Sequence, residues 1–269
     1  MRTASIEGRG RDVMPDSNGN GKGAGVRPES VSPRQVLLEL VFMGAALAAV
    51  KFFAQNTPVM YALIGGNIAA RFLLIRRRHD WIFFLIGLVA GGGNDYMSMV
   101  KGVYYYTPKD ILPVPIPVWM LVFWGHIFVG FRQLFQLPAF QGASFPQGPG
   151  RPDKRLILDV ATWIILRIII YNFVRQEPAP AAAYAAVIAL RLLLVPPKPY
   201  EWRLMAVVVP LGLFYEAALI GFGLYVYYDA VFLGMPVWLV LYWFFMLPIF
   251  IKGVFDRVEL HLARKPAGN

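Results

Sequence analysis

Eight long apolar segments dominate this chain of 269 residues and restrict the folds it can adopt. Each segment approaches the roughly 20 residues that a helix needs to cross about 30 Å of hydrocarbon. With 57% hydrophobic residues, the chain is also too apolar for an ordinary soluble domain. The sequence therefore predicts an all-α polytopic membrane protein with eight transmembrane helices, over residues 35–54, 58–75, 81–101, 116–136, 156–174, 179–195, 204–226 and 236–255.

Basic residues lie at alternate ends of these segments. They concentrate in the N-terminal region, in the segment 76–78, at Arg155 and Arg203, and near the C-terminal end, whereas the intervening turns carry little beyond Lys109 and Arg175. Because cytoplasmic loops of membrane proteins are enriched in Lys and Arg, this asymmetry places both termini in the cytoplasm, in a bacterial-type inner (plasma) membrane. The net charge of +10 then reflects orientation in the membrane, and no nucleic-acid partner is expected.

Composition divides the chain into five segments. The first 33 residues are rich in Gly, Ser, Pro and charged residues and lack an apolar period, which predicts disorder. The predicted organisation is a disordered cytoplasmic tail over 1–33, a first four-span repeat over 34–137, a cytoplasmic linker over 138–154, a second four-span repeat over 155–259 and a C-terminal tail over 260–269.

The two halves of the chain align with each other at an offset of about 120 residues, which indicates a duplication. Ordered matches of Trp, Pro, Gly, Arg and acidic residues arise by chance less often than matches between apolar residues. Because each half contributes an even number of spans, the sequence predicts two parallel repeats related by a pseudo-two-fold axis along the membrane normal. The aligned pairs include Glu39 with Asp159, Arg71 with Arg191, Gly91 with Gly212, Asp95 with Glu216, Tyr106 with Tyr227 and Trp124 with Trp243.

Asp95 and Glu216 are the candidate catalytic residues. Each lies toward the outer end of the third span of its half and follows helix-breaking Gly or Pro residues. Acidic side chains at this depth are costly in hydrocarbon and tend to face a bundle interior or a wet cavity. Two interpretations are open. The carboxyl groups form a pair of which at least one donates a proton, or each accepts hydrogen bonds from tyrosine, tryptophan or Arg167 and locks the bundle.

Aromatic residues surround the two acids. Trp119 and Trp238 fit the belt of tryptophans that membrane proteins place at the interface, whereas the next tryptophan in each half lies deeper and fits a pocket wall. His126 lies inside the fourth span and has no counterpart, since the aligned residue is Phe245. The candidate substrate-binding residues are Tyr106, Trp124, His126, Tyr227 and Trp243.

The other ionisable residues of the spans are expected to be structural. Arg167 lies deep in the fifth span and needs a partner, for which Asp159 or the third-span acid of the same half is expected. Arg71 and Arg191 lie about a turn inside the cytoplasmic ends, where their side chains can snorkel to the interface. Glu39 and Asp159 form a second acidic pair near the cytoplasmic face, as partners for nearby basic residues.

Residue counts exclude several chemistries. The chain has no cysteine, which removes disulfides, thiolate metal sites and iron–sulfur clusters. Its three histidines are too few and too scattered for a histidine-based zinc or di-iron site. We therefore expect neither a metal nor a cofactor.

An acid, at least one glycine, a tyrosine, a proline and a tryptophan follow one another late in each half. The second half carries Glu216, Gly221, Gly223, Tyr227, Gly234, Pro236 and Trp243, and the first half a looser copy at Asp95, Gly102, Tyr106, Pro117 and Trp124. This run resembles the bacterioruberin-hydratase-type membrane proteins of bacterial carotenoid biosynthesis and related small bacterial membrane proteins. The resemblance implies cofactor-free hydration of an isoprenoid, in which a carboxylic acid protonates a C=C bond and aromatic faces stabilise the cation.

Three functions remain open from the sequence. The first is a cofactor-free hydratase or cyclase acting on a lipid or carotenoid-like isoprenoid from the bilayer, at a polar, aromatic-lined site near the outer face. The second is a proton- or cation-coupled transporter of small molecules, in which the two acids bind the ion. The third is a non-catalytic membrane scaffold or assembly protein, in which the polar groups serve packing.

Overall fold

The computed structural model describes residues 31–107, 115–141 and 153–264. Nearly all of the predicted N-terminal tail, most of the predicted linker over 138–154 and the end of the predicted C-terminal tail lie outside the described residues.

Eight helical segments follow one another along the described chain, and two of them are interrupted by a π-helical turn. Gly87–Gly91 forms the turn between α3 and α4, and Met246–Ile251 forms the turn between α9 and α10. The helices are α1 (Pro33–Phe53), α2 (Thr57–Leu74), α3 (Asp80–Ile86), α4 (Gly92–Val100), α5 (Val118–Phe135), α6 (Lys154–Phe173), α7 (Ala179–Leu194), α8 (Pro199–Gly221), α9 (Val237–Phe245) and α10 (Lys252–Arg264), and the strands are β1 (Tyr104–Tyr106) and β2 (Tyr225–Tyr227).

The predicted fold class, a polytopic all-α membrane protein, is confirmed. Among the described residues, six helices are long and apolar enough to cross a membrane. The other two predicted spans are less regular, since α7 has 16 residues and the third segment is divided by its π turn. The seventh segment begins at Pro199 rather than at residue 204, and the eighth continues to Arg264 rather than ending at residue 255.

The first π turn lies where the third segment packs most closely against α5. A Cβ atom on Gly87 or Gly91 would overlap Phe128 or Trp124 of α5. Helix-breaking residues are tolerated at membrane depth where the backbone packs on protein. The glycines therefore allow the close approach that positions α4 beside α5.

A short antiparallel ribbon joins the two halves. Strand β1 pairs with β2, so that Tyr104 lies opposite Tyr227, Tyr105 opposite Val226 and Tyr106 opposite Tyr225. Each strand follows a glycine with a positive φ, +69° at position 102 and +71° at position 223, a conformation that glycine adopts without strain. We call this side of the bundle the tyrosine end, and the opposite side, where α1 begins and α10 ends, the terminal end.

Trp119 and Trp238 are buried beneath this ribbon. Trp119 packs edge-on against Tyr106, with ring centroids 5.5 Å apart, and Trp238 packs against Tyr227 at 6.1 Å. Both indoles are nearly inaccessible. The expectation that they belong to an interfacial belt is therefore wrong, because the ribbon covers them.

Buried ion pairs in the two halves correspond to each other. The Nε atom of Arg71 donates to Glu39 over 2.7 Å, and that of Arg191 donates to Asp159 over 2.7 Å. Each pair joins the first two helices of its half. The expected role of the two acids as partners for basic residues agrees with these contacts. The duplication itself stays a prediction, and these matched pairs are what it would produce.

The first half extends its ion pair into a network at the terminal end. Arg71 also binds Asp80, and Arg132 of α5 binds both Asp80 and Glu259 of α10. Arg71 and Arg191 are almost completely buried, so they do not snorkel to the interface as expected. Removing one member of a buried ion pair leaves an uncompensated charge, which is strongly destabilising. The network therefore fixes α1, α2, α3, α5 and α10 relative to one another.

Replacement of Arg71 should destabilise the bundle. We expect Arg71→Met to lower the free energy of unfolding by about 3–5 kcal/mol, since Glu39 loses its guanidinium partner while it stays buried. Arg78→Met, at an exposed position of the same link, is the matched control and should unfold at the wild-type temperature. Thermal unfolding in detergent measures both, and equal stability of the two variants would contradict the network.

The ribbon predicts a specific disulfide. Because Tyr105 and Val226 are directly paired and exposed, a Tyr105→Cys, Val226→Cys variant should oxidise almost completely to an intramolecular disulfide. The absence of native cysteine makes the result unambiguous in a gel-shift assay with a thiol-reactive polymer. The control pair Tyr105→Cys, Val231→Cys should stay reduced. Free thiols in the first variant would refute the predicted register.

Candidate functional site

A cavity of about 650 Å³ lies between the two halves of the bundle. Helices from both halves contribute to its wall, and most of the lining side chains are aliphatic or aromatic. Most of its polar groups lie under the ribbon at the tyrosine end, and Glu39 lines the cavity at the terminal end. Six of the predicted site residues line this cavity, namely Asp95, Tyr106, Trp124, Glu216, Tyr227 and Trp243.

Asp95 is the most fully bonded acid of the cavity. Its Oδ1 accepts from the hydroxyl of Tyr104 at 2.5 Å, and its Oδ2 accepts from Tyr106 and from the indole N–H of Trp124, both at 2.6 Å. Both carboxylate oxygens are thus held by fixed donors. These contacts agree with the second interpretation of this residue, a structural acid that joins α4, β1 and α5.

Tyr104 was not among the predicted site residues, although a sequence signal for it existed. Alternate residues of a strand point to the same face, so in a three-residue strand the first and third side chains share one side. Tyr104 and Tyr106 accordingly both reach Asp95. The prediction of helical spans over 81–101 and 116–136 leaves this segment without a strand, so the shared side of the two tyrosines does not follow from it.

Glu216 is bonded less completely than its counterpart. The indole N–H of Trp243 donates to Oε1 over 3.2 Å. Oε2 is buried and has no hydrogen-bond partner among the described residues. The second half places Tyr225 and Tyr227 on the ribbon, yet neither hydroxyl is bonded to this carboxyl as Tyr104 and Tyr106 are to Asp95. Both carboxyl oxygens of Asp95 are thus hydrogen-bonded, whereas one carboxyl oxygen of Glu216 has no partner among the described residues.

Glycines position the two tryptophans that hold these acids. A Cβ atom on Gly91 would overlap the ring of Trp124, and one on Gly212 would overlap the ring of Trp243. The ring of each indole packs against its glycine. Its N–H donates to the acid that lies one turn after that glycine on the glycine's own span. The spacing of glycine and acid on the third span is what brings this about.

Arg167 provides the cation of the cavity. Its Nη1 donates to Ser98 Oγ over 3.4 Å, and its guanidinium carbon lies 4.3 Å from the ring centroid of Tyr242. The side chain is 93% buried, given a relative exposure of 7%. The expected ion pair with Asp159 or Glu216 is not formed. Asp159 is paired with Arg191 instead, and Glu216 accepts a hydrogen bond from Trp243. The depth of Arg167 in its span shows that it needs a partner, but Ser98 and Tyr242 lie on other helices and do not follow from the sequence.

His126 lies apart from the central cavity. It borders a small void between α1, α2 and α5, which Trp119 also lines. Both side chains are only 1% exposed, and neither His126 Nε2 nor Trp119 Nε1 has a hydrogen-bond partner among the described residues. The structure therefore does not bring His126 to the other predicted site residues. Its assignment to substrate binding stays a prediction.

The arrangement is suited to binding and less suited to metal chemistry. Among the described residues, no group of three or more His, Asp or Glu side chains could hold a metal ion. The wall offers an apolar surface, several aromatic faces and, at one end, hydrogen-bonding groups. Pockets of this size and polarity hold small amphiphilic molecules.

Two solved structures share this fold. They are crystal structures of MvINS, an Insig homolog from Mycobacterium vanbaalenii, and of a cross-linked MvINS trimer. Each superposes with a TM-score of 0.52 at 21% sequence identity, over 72% of this chain and 100% of the MvINS chain. At this identity the likeness concerns the fold alone. No protein-family model matches the chain, and no curated protein matches it significantly.

The hydratase or cyclase interpretation is wrong. The two structures that share the fold are of an Insig homolog and not of an enzyme of carotenoid biosynthesis. The six apolar helices among the described residues support a lipid environment, whereas no finding supports a carotenoid or isoprenoid substrate. The proton-donor role of Asp95 and Glu216 stays a prediction without a reaction to support it.

The glycine contact in the second half can be tested by one methyl group. We expect Gly212→Ala to lower the free energy of unfolding by about 1–3 kcal/mol, because the added Cβ displaces Trp243 from Glu216. Gly93→Ala is the control, since its Cβ would meet open space and alanine favours a helix by about 0.5–1 kcal/mol. Thermal unfolding should move in opposite directions for the two variants; a shared direction would contradict the close packing.

Proposed function

We propose that this protein is a non-catalytic membrane protein that binds an amphiphilic lipid in its central cavity and serves as a lipid-dependent scaffold for assembly. The observation that carries the proposal is the cavity of about 650 Å³, whose walls are mostly apolar and whose polar groups lie mainly at the tyrosine end. Following the basic residues, we place the terminal end at the cytoplasmic face of an inner membrane, with both termini inside.

The walls define the body of the ligand. Met43, Ile127, Leu134, Leu211 and Leu239 line the cavity between its two ends. Burying apolar surface against such walls is favourable by roughly 25 cal/mol per Å². A polar or charged small molecule would gain nothing there and would lose its hydration. An acyl or fused-ring hydrocarbon is the body that fits.

The tyrosine end defines the head group. Both oxygens of Asp95 are occupied, whereas Glu216 Oε2 and the hydroxyl of Tyr215 line the cavity and have no hydrogen-bond partner among the described residues. Asn94 Oδ1 and Arg167 Nε, which belong to the same lining, also lack such a partner there. A phosphate or carboxylate would lie beside two carboxyl groups with one arginine, already stacked on Tyr242, to balance it. Like charges brought together at low dielectric repel each other strongly. A neutral head group with a hydroxyl is therefore the expected class.

A scaffold role fits the polar contacts better than catalysis does. Asp95 accepts three hydrogen bonds that join α4, β1 and α5, so its geometry serves to hold the bundle together. The fold shared with an Insig homolog supports the same proposal. MvINS was crystallised as a cross-linked trimer, and we extend self-association to this chain as part of the proposal.

A cavity-filling variant tests lipid binding. In Leu239→Trp the added ring occupies the cavity, whereas Leu190→Trp adds the same ring to an exposed face of α7. Native mass spectrometry and lipid extraction of the purified proteins should show a neutral lipid with the wild type and the control. We expect about a tenfold loss of bound lipid in Leu239→Trp, as a lost apolar contact of about 1.4 kcal/mol would produce.

Two results would contradict the proposal. The first is the absence of any co-purifying lipid, with unchanged binding of added fatty alcohol by Leu239→Trp. The second is conversion of the bound lipid to a new product, which would establish an enzyme. Proton or cation flux into protein-containing vesicles would instead support transport.

A further inference from the structure

The cavity reaches the surface of the bundle on one side only of the described residues. Four of its lining residues are exposed, and they belong to α1 (Leu40) or α8 (Val207, Pro210 and Phe214). Leu40 is 40% exposed, Val207 42% and Phe214 73%. On α8 these positions are three or four residues apart, so they form one stripe along the helix. The stripe faces both the cavity and the bilayer.

Helices α1 and α8 do not pack against each other along their length. Helix α1 packs against α2 and α5, and α8 packs against α9, its π turn and the short 3₁₀ turn Pro138–Phe140 that follows α5. A single bond joins the pair at the tyrosine end, where Lys51 Nζ donates to the carbonyl of Phe222 over 2.7 Å. The gap between them therefore has apolar walls, and at its tyrosine end the Lys51–Phe222 hydrogen bond, which we call the tie, joins the two helices.

The corresponding gap in the other half is closed. It lies between α4 and α6, where Arg167 donates to Ser98 over 3.4 Å and both side chains are buried. The residues that align with Arg167 and Ser98 are Leu47 and Leu219, whose side chains cannot form such a hydrogen bond. A hydrogen bond between helices at this depth has few competing partners. One of the two symmetry-related openings is thus held shut.

Pro210 gives α8 a point at which it can bend. It lies inside the helix and lines the cavity at the gap. Proline has no backbone N–H, so the hydrogen bond to residue 206 is missing. Kinks in helices occur at such positions. A small outward bend of α8 at Pro210 would widen the gap without breaking any hydrogen bond of the helix.

We propose that lipids enter and leave the cavity laterally from the bilayer, between α1 and α8, and that the Lys51 contact with Phe222 holds this opening narrow at the tyrosine end. This inference rests on the proposed lipid binding. It predicts that the separation of α1 and α8 sets the rate of lipid exchange. The affinity is set elsewhere, by the cavity walls.

A reversible cross-link tests the route. Leu40→Cys, Val207→Cys protein would be joined by bis-thiosulfonate reagents of graded length in phosphatidylcholine vesicles, and the link then removed by reduction. The probe is dibrominated oleyl alcohol, which quenches tryptophan fluorescence, and the protein carries Trp81→Phe and Trp202→Phe because these two exposed tryptophans would be quenched from the bilayer. With the shortest link, we expect association and dissociation rates to fall together by at least about tenfold, with recovery on reduction.

The ribbon disulfide serves as the matched control. Oxidised Tyr105→Cys, Val226→Cys protein restrains the ribbon at the tyrosine end and leaves α1 and α8 unlinked at Leu40 and Val207, so its exchange rates should equal those of the reduced form. Slower exchange with the ribbon disulfide alone would place the route at the tyrosine end and overturn the inference. Unchanged rates with both links would also overturn it.

A second variant examines the tie itself. Lys51→Met removes the bond to Phe222 and should accelerate exchange roughly threefold, as loss of one exposed hydrogen bond would. Lys101→Met, an exposed lysine at the same end, should leave the rate unchanged. Equal rates in the two variants would remove the tie from the proposal. Absence of quenching in unlinked wild-type protein would instead refute lipid binding, so the two failures are distinguishable.

Discussion

Hydrocarbon offers no partner to a polar side chain, so the polar groups inside this bundle are stabilised almost entirely by other parts of the chain. This constraint organises both ends of the molecule. At the terminal end, buried arginines hold the acids of α1 and α6. At the tyrosine end, Asp95 gathers two tyrosines and a tryptophan. The apolar space left between these two layers is the cavity.

Departures from symmetry between the halves are where the function is to be sought. Asp95 is fully bonded, whereas Glu216 keeps an oxygen without a partner among the described residues. The gap beside α6 is closed by Arg167 and Ser98, whereas the gap beside α1 is lined by aliphatic side chains. A symmetric bundle would have two equivalent acids and two equivalent gaps. Because of these differences, the cavity has an unpaired carboxyl oxygen at Glu216 and an apolar gap toward the bilayer between α1 and α8.

Much of the architecture could be predicted because apolar segments of this length have one stable form in a bilayer. The eight segments, the acidic pairs and the tryptophans beside the third-span acids all follow from spacing along the chain. The residues that were misassigned share a different property. Arg71, Trp119 and Arg167 are each stabilised by partners that other helices or the ribbon bring to them. Their environments depend on which helices become neighbours, which spacing alone does not reveal.

The sequence by itself determined the membrane class, the number of helical segments and the concentration of polar groups at two levels of the bundle. The reason is that local hydrophobicity decides which segments enter the bilayer, whatever their neighbours are. Only the tertiary structure decided that β1 pairs with β2, that His126 lies apart from the cavity, and that one gap is closed while the other is apolar. These features are contacts between residues far apart in the chain, which the packing and hydrogen bonding of the folded bundle select together.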